Sequence, residues 1–166
     1  CPSTLTFRRE NNPGRYFGDR ENIEMMMDVI LNKKESIERC VQQIRLYYAR
    51  PSELPFEKDH LKQDAIAANL QRAAEQVIDL ANHVIRKGKL GLPKESRESF
   101  EILAGAKVIP QELADKLKGM VGFRNIMVHQ YQEMDIKIMV DVIEHHLDDL
   151  VVFTTQVMEY GRSRSS

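Results

Sequence analysis

The chain of 166 residues has the length of one domain, and a hydrophobic fraction of 42% is enough to bury a core. Its 24 Lys and Arg balance 25 Asp and Glu, which excludes a global basic field that gathers nucleic acid without selection, so any contact with RNA or DNA must be local. Cys1 and Cys40 are too few and too far apart for a disulfide framework or a cysteine zinc site, and no run approaches the ~18 apolar residues of a membrane span. With no charged-then-apolar leader in view, a soluble, unexported protein of the cytoplasm, without membrane contact, is expected.

In chain order, the polar residues 1–20, with Pro2, Pro13, Gly14 and Gly18, read as a flexible tail outside the fold. From Ile23 the apolar positions Ile23, Met27, Ile30, Ile37, Val41, Ile44 and Tyr48 recur at steps of three and four, skipping only Lys34, and predict one long amphipathic helix. Pro51 and Pro55 end it, since proline lacks an amide donor and disfavours helical geometry in the residue before it. A second helix, about Asp59 to Lys87, carries the stripe Ile66, Leu70, Ala73, Val77, Leu80, Val84; the small Ala73, Ala74 and Ala81 invite close approach by a neighbour. Gly88, Gly91 and Pro93 break the chain, and Phe100 to Ala104 reads as a stubby helix. Pro110 opens a third long helix with Leu113, Leu117, Met120, Arg124, Met127 and Tyr131 on one stripe. A last helix, about Asp135 to Tyr160, shows Ile136, Val140, Ile143, Leu147, Leu150 and Val157, with Thr154 its one polar member, and residues 161–166 read as a second flexible tail. Residues 21–160 are therefore expected to form one all-α domain, an antiparallel bundle of four long helices and one short one.

No phosphate-binding glycine loop, zinc helix, calcium loop or Gly-x-Ser-x-Gly turn is present. Of the five histidines, His145 and His146 stand beside Asp148 and Asp149, with His145 and Asp149 one helical turn apart. Two potential ligands do not make a metal site, and a solvated helix face is the expected reading there, as is an ordinary helix residue for His83. The segment Arg124 to Tyr131 is different. Arg124 interrupts an apolar stripe, where an unpaired charge is costly, so it must pair or face a polar cleft. Tyr131, seven residues on, would lie roughly 20° away on a continuous helix of ~3.6 residues per turn. Asn125 and His129, four apart, would meet on the adjacent face. From spacing alone the group reads equally as a salt-bridge donor, a helix cap and an interface anchor.

Arg124-Asn125-x-x-x-His129-x-Tyr131 resembles the Arg-x-x-x-x-His-x-Tyr signature of the HEPN superfamily, specifically its HepT-like toxins. The run from Asp64 and Ala65 through Asn69, Leu70, Gln71, Arg72, Ala73 and Glu75 to Ile78-Asp79-Leu80-Ala81-Asn82-His83 is similar to that family's second helix. Gly91-Leu92-Pro93, Ser99-Phe100 and Met120 to Asn125 are similar to further family segments, so the resemblance spans roughly Ile23 to Tyr160. It implies a homodimeric helical bundle acting as a metal-independent ribonuclease without cofactor, the toxin of a type VII-like toxin–antitoxin pair. The implied partner is an antitoxin of the minimal nucleotidyltransferase type, MntA, which would silence the toxin by AMPylation of Tyr131.

Under that resemblance the residues take roles that physical chemistry supports. Metal-free RNA cleavage needs a base for the 2′-hydroxyl, an acid for the leaving 5′-oxygen and a cation for the developing charge. Imidazole titrates near neutral pH, which suits His129 to either proton transfer, and the planar guanidinium of Arg124 fits phosphate oxygens. Asn125 would orient the imidazole or the phosphate. In a two-fold dimer two His129 side chains would divide the acid and base roles across one cleft. Arg86, Lys87, Lys89, Lys94 and Arg97, set against Glu95 and Glu98, form either a rim that tracks the phosphates of RNA, with tRNA the expected substrate, or a solvated loop. Glu75, buried by its pattern, would support Arg124 from across the bundle. The alternative is a non-catalytic helical module that binds nucleotide or docks a nucleotidyltransferase through the same cleft.

Overall fold

The computed structural model describes residues 13–165, so residues 1–12 of the expected tail lie outside the described residues. Among the described residues six α-helices follow one another: α1 (Pro13–Ala49), α2 (His60–Gly88), α3 (Ser96–Gly105), α4 (Gln111–Gln130), α5 (Ile136–His145) and α6 (Leu147–Ser165), with 3₁₀ turns at Phe56–Lys58 and Tyr131–Glu133. No helix among the described residues is long and apolar enough to cross a membrane.

Helix α2 is the centre of the bundle, packed against α1, α3, α4 and α6. Its expected stripe is buried, and so are Ala67, Ala74, Ile78, Ala81 and Ile85 beside it, so the buried face is wider than one stripe. Its start is fixed locally: the Asp59 side chain accepts from Lys62 N at 3.1 Å and from Ser52 Oγ at 2.7 Å, which satisfies an amide that has no partner inside the helix. Its end is a left-handed residue, Lys89 at φ 53°, after which Leu90 N bonds back to Ile85 O at 3.0 Å.

The two polar residues that interrupt the stripes of the outer helices meet each other. Lys34 Nζ donates to Glu38 Oε1 at 2.6 Å and to Thr154 Oγ1 at 3.4 Å, while Thr154 itself donates to Val151 O at 2.7 Å. Around them Ile30, Ile37 and Ile44 of α1 and Phe153 and Val157 of α6 are fully buried.

The structure departs from the sequence reading at both ends and in one joint. Pro13 already opens α1, and α6 runs through residues 161–165, where a tail was expected. Gly161 lies inside this last stretch of α6, buried against α1, where a Cβ would meet the Met27 sulfur and require the Met27 side chain to move. The expected last helix is divided into α5 and α6 at His146, with φ −122° and ψ −4°. The His146 ring sits 3.3 Å from Asp149 and 3.2 Å from Asp141, one carboxylate on each helix, and holds the joint.

Phe153 and Phe100 pack edge to face with centroids 5.7 Å apart at 76°, both fully buried. Phe153→Ala is expected to cost about 3–5 kcal/mol in urea unfolding. A loss below about 1 kcal/mol would contradict this placement of the core.

Candidate active site

Helix α4 carries the motif. Leu113, Ala114, Leu117, Val121, Phe123 and Met127 are its buried face, and this anchoring leaves Arg124 half-buried at its edge and Asn125 and His129 exposed. Arg124 satisfies the requirement of its stripe by pairing and by facing a cleft. Its Nε donates to Asn125 Oδ1 at 2.9 Å, and both residues line an open cleft of about 260 Å³ with Val121 and with Glu95, Ser96 and Arg97 at the start of α3. Gly122 keeps room there, since a Cβ would come within 3.0 Å of Arg97 Nη2. Two guanidiniums from two helices thus border one small cleft, the arrangement a phosphate dianion or phosphorane would match.

His129 stands on the last turn of α4 and makes no hydrogen bond or ion pair among the described residues. The expected pairing of Asn125 with His129 does not form; the Asn125 amide oxygen accepts from Arg124 instead. The imidazole is therefore open to solvent, substrate or a second chain.

Tyr131 does not share the stripe of Arg124. Helix α4 stops at Gln130, where φ is −138° and ψ 30°, and Tyr131 opens the 3₁₀ turn that follows. The turn carries the phenol back to α2, where its Oη donates to Asp64 Oδ1 at 2.6 Å. Burial first, then the hydrogen bond and the negative charge of Asp64, push the phenol well above the ordinary tyrosine range. The continuous-helix geometry expected for residues 124–131 is thus corrected by the backbone at one residue.

Three of the five basic residues, Arg86, Lys89 and Lys94, line a larger groove of about 760 Å³ with Asn82, Ile85, Ser99 and the Gly91-Leu92-Pro93 loop. Glu95 and Ser96 belong to both the groove and the Arg124 cleft, so the two are contiguous. Ser99 Oγ donates to Asn82 Oδ1 at 2.6 Å, and Glu98 accepts from Lys94 N at 3.0 Å, which commits one local acid to the loop backbone. Lys87 lines a separate cavity with Asn22, Tyr160 and Arg164.

Glu75 does not reach Arg124. Ala73 and Ala74 turn inward, the next side chain turns to solvent, and Glu75 accepts only from Gln71 Nε2 at 3.4 Å. His146, not His145, meets Asp149; His145 lies 3.9 Å from Glu144, and among the described residues no cluster of three or more ligating side chains is gathered for a metal. His83 is half-buried, with its titration pushed down by burial and then by Arg86, Lys87 and Lys33. Two participants escape the sequence reading in these roles: Asp64, 67 residues from the tyrosine it binds, and Arg97, brought beside Arg124 by α3.

Comparison with known proteins fits this arrangement. A family described as ribonuclease HepT-like matches residues 37–157. The chain is 47% identical over 128 residues to an mRNA nuclease HepT of Shewanella oneidensis, covering 77% of this chain and 95% of that protein. A tRNA nuclease HepT of Aphanizomenon flos-aquae is 28% identical over 91 residues, covering 55% of this chain and 62% of that protein. Among solved structures, a tri-AMPylated S. oneidensis HEPN toxin in complex with an MNT antitoxin has a TM-score of 0.74 at 45% identity, over 80% of this chain and 98% of that one. The fold, the matched span and the shared identity agree: this chain belongs to the HepT-like ribonuclease family.

Proposed function

We propose that the chain is the ribonuclease toxin of a toxin–antitoxin pair, cutting RNA without a metal at a site that two copies complete, and that an MntA-type nucleotidyltransferase silences it by AMPylation of Tyr131. The observation that carries this reading is the open His129 on the same helix end as the Arg124 and Asn125 cleft, contiguous with a basic groove.

In the proposed reaction one His129 takes the proton of a 2′-hydroxyl, and the 2′-oxygen bonds to the adjacent phosphorus. The bond to the 5′-oxygen breaks, and a second imidazole protonates that leaving oxygen. Arg124 neutralises the charge on the phosphorane oxygens, and Asn125 holds the guanidinium by its 2.9 Å bond. Each chain supplies one motif histidine, while the reaction wants an acid and a base at once. A two-fold dimer provides both from one short segment.

Arg86, Lys89 and Lys94 would follow the substrate backbone away from the cleft. The more similar relative is named an mRNA nuclease and the more distant one a tRNA nuclease, so RNA is the proposed substrate, and mRNA stands beside the expected tRNA as a target. A cytoplasmic setting suits both substrate and partner. AMP on Tyr131 would remove the proton that binds Asp64 and add a phosphodiester anion beside that carboxylate, so the modified side chain would be driven off α2 while its adenosine and charge compete with RNA.

Incubation with bulk tRNA or mRNA in EDTA is expected to give cleavage that His129→Ala and Arg124→Ala each lower about 10²–10⁴-fold. RNA left intact by the wild-type chain and both variants would favour the non-catalytic docking module instead. The groove gives a separate expectation. Replacing Arg86, Lys89 and Lys94 with Ala should weaken binding to a single-stranded RNA and flatten the plot of log affinity against log salt by about 2, since each phosphate neutralised on a single strand adds ~0.7 to that slope. An unchanged slope would remove the groove from the RNA path.

A further inference from the structure

We infer that Asp64 is the proton acceptor for AMP transfer onto Tyr131: its carboxylate receives the phenolic proton while the phenolic oxygen attacks the α-phosphorus of a nucleoside triphosphate. The inference rests on the reading of Tyr131 as the modified residue and goes beyond it by naming the group in this chain that activates the nucleophile.

A neutral phenol is a weak nucleophile and becomes a competent one as its proton leaves, so a base must lie within hydrogen-bond reach, about 2.6–3.2 Å. Asp64 Oδ1 is 2.6 Å from Tyr131 Oη and already accepts its proton. The break of α4 at Gln130 and the 3₁₀ turn after it aim the phenol at this carboxylate from the fifth residue of α2. Asp64 makes no other side-chain hydrogen bond and no ion pair among the described residues, so no lysine or arginine competes for the lone pairs that would take the proton. Asp64 is exposed, which leaves the pair within reach of a nucleotide delivered by a second protein.

The electrostatics agree with a base acting during the reaction rather than with a standing tyrosinate. Burial and the Asp64 carboxylate hold the phenol in its neutral form above the ordinary tyrosine range, and Asp64 is the one ionisable group whose charge acts on it among the described residues. The step balances. A bond forms between Tyr131 Oη and the α-phosphorus, the bond from that phosphorus to the bridging oxygen breaks, pyrophosphate leaves with its electron pair, and the proton passes to Asp64 and then to water. Once Asp64 loses that proton, a carboxylate and a phosphodiester anion face each other, which disfavours return of the modified side chain to α2.

The test uses the full chain, its partner nucleotidyltransferase and Mg-ATP labelled at the α-phosphate, with wild type, Asp64→Asn, Asp64→Glu and Tyr131→Phe compared by label and by the mass of the peptide carrying residue 131. Wild type should take AMP on that peptide and Tyr131→Phe should not. Asp64→Asn, which can still accept a hydrogen bond but cannot take a proton, should slow the initial rate about 10²–10⁴-fold near neutral pH. Its rate should climb about tenfold per pH unit, as free tyrosinate becomes the reactant, where the wild-type rate is flat. Asp64→Glu should recover part of the rate, which a folding defect at this position would not allow. An Asp64→Asn rate equal to wild type, with the same flat profile, would overturn the role of Asp64 and leave the modified tyrosine standing. A wild-type chain that takes no AMP at residue 131 would overturn both.

Discussion

The rest of the structure depends on the burial of α2. Ala67, Ala73, Ala74 and Ala81 and its branched residues are shielded by α1, α3, α4 and α6 together, so its two ends are fixed relative to everything that packs on it. Helix α4 lies antiparallel to it, which brings the end of α4 to the start of α2 and Tyr131 to Asp64. Helix α3 returns along α4, tied by Glu101 to Lys118, and so delivers Arg97 to Gly122 and the Arg124 cleft. The far end of α2 supplies Asn82 and Arg86 to the groove that runs into that cleft. One apolar helix therefore sets the distance between the proposed chemistry, the proposed substrate path and the proposed modification site.

Within that frame a single backbone residue divides the motif. Arg124, Asn125 and His129 follow helix geometry and face the cleft or solvent; Tyr131 follows the 3₁₀ turn and faces α2. A motif that reads as one stripe in sequence is thus two faces in space. The division has a chemical use under the proposed function. The groups that would touch RNA are left open, while the residue that would receive AMP is held on the other side of the helix end by a bond that the modification itself must break.

Much of this is legible from periodicity, because amphipathic helices write their buried faces into the chain at every third or fourth place. The stripe of α2 is buried throughout, that of α1 faces the core except at Ile23, and on the last two helices Leu147, Leu150 and Val157 are buried as their spacing predicts while Met139 takes the core place expected of Val140; Lys34 and Thr154, the polar interruptions, are hydrogen-bonded to each other. What periodicity does not carry is whatever depends on one residue's backbone or on a meeting of distant segments. The end of α4 at Gln130 has no proline or glycine to announce it. The joint at His146 depends on Asp141 and Asp149 closing on one ring. Gly161, which reads as the start of a tail, is instead a buried part of α6 packed against α1. Glu75 shows the limit from the other side: next to two buried alanines, it is turned outward by a rotation of one residue. Asp64 and Tyr131 both stand in segments resembling the family, yet nothing in either segment links them across 67 residues.

The most direct measurement concerns the open histidine. A dimer purified with two different tags, one copy wild type and one His129→Ala, contains a single motif imidazole to serve a reaction that needs an acid and a base. The account predicts that its RNA cleavage falls close to that of the doubly substituted dimer, far below half of wild type. Retention of half the wild-type rate would show that each copy cuts alone, and would contradict a site completed by two chains.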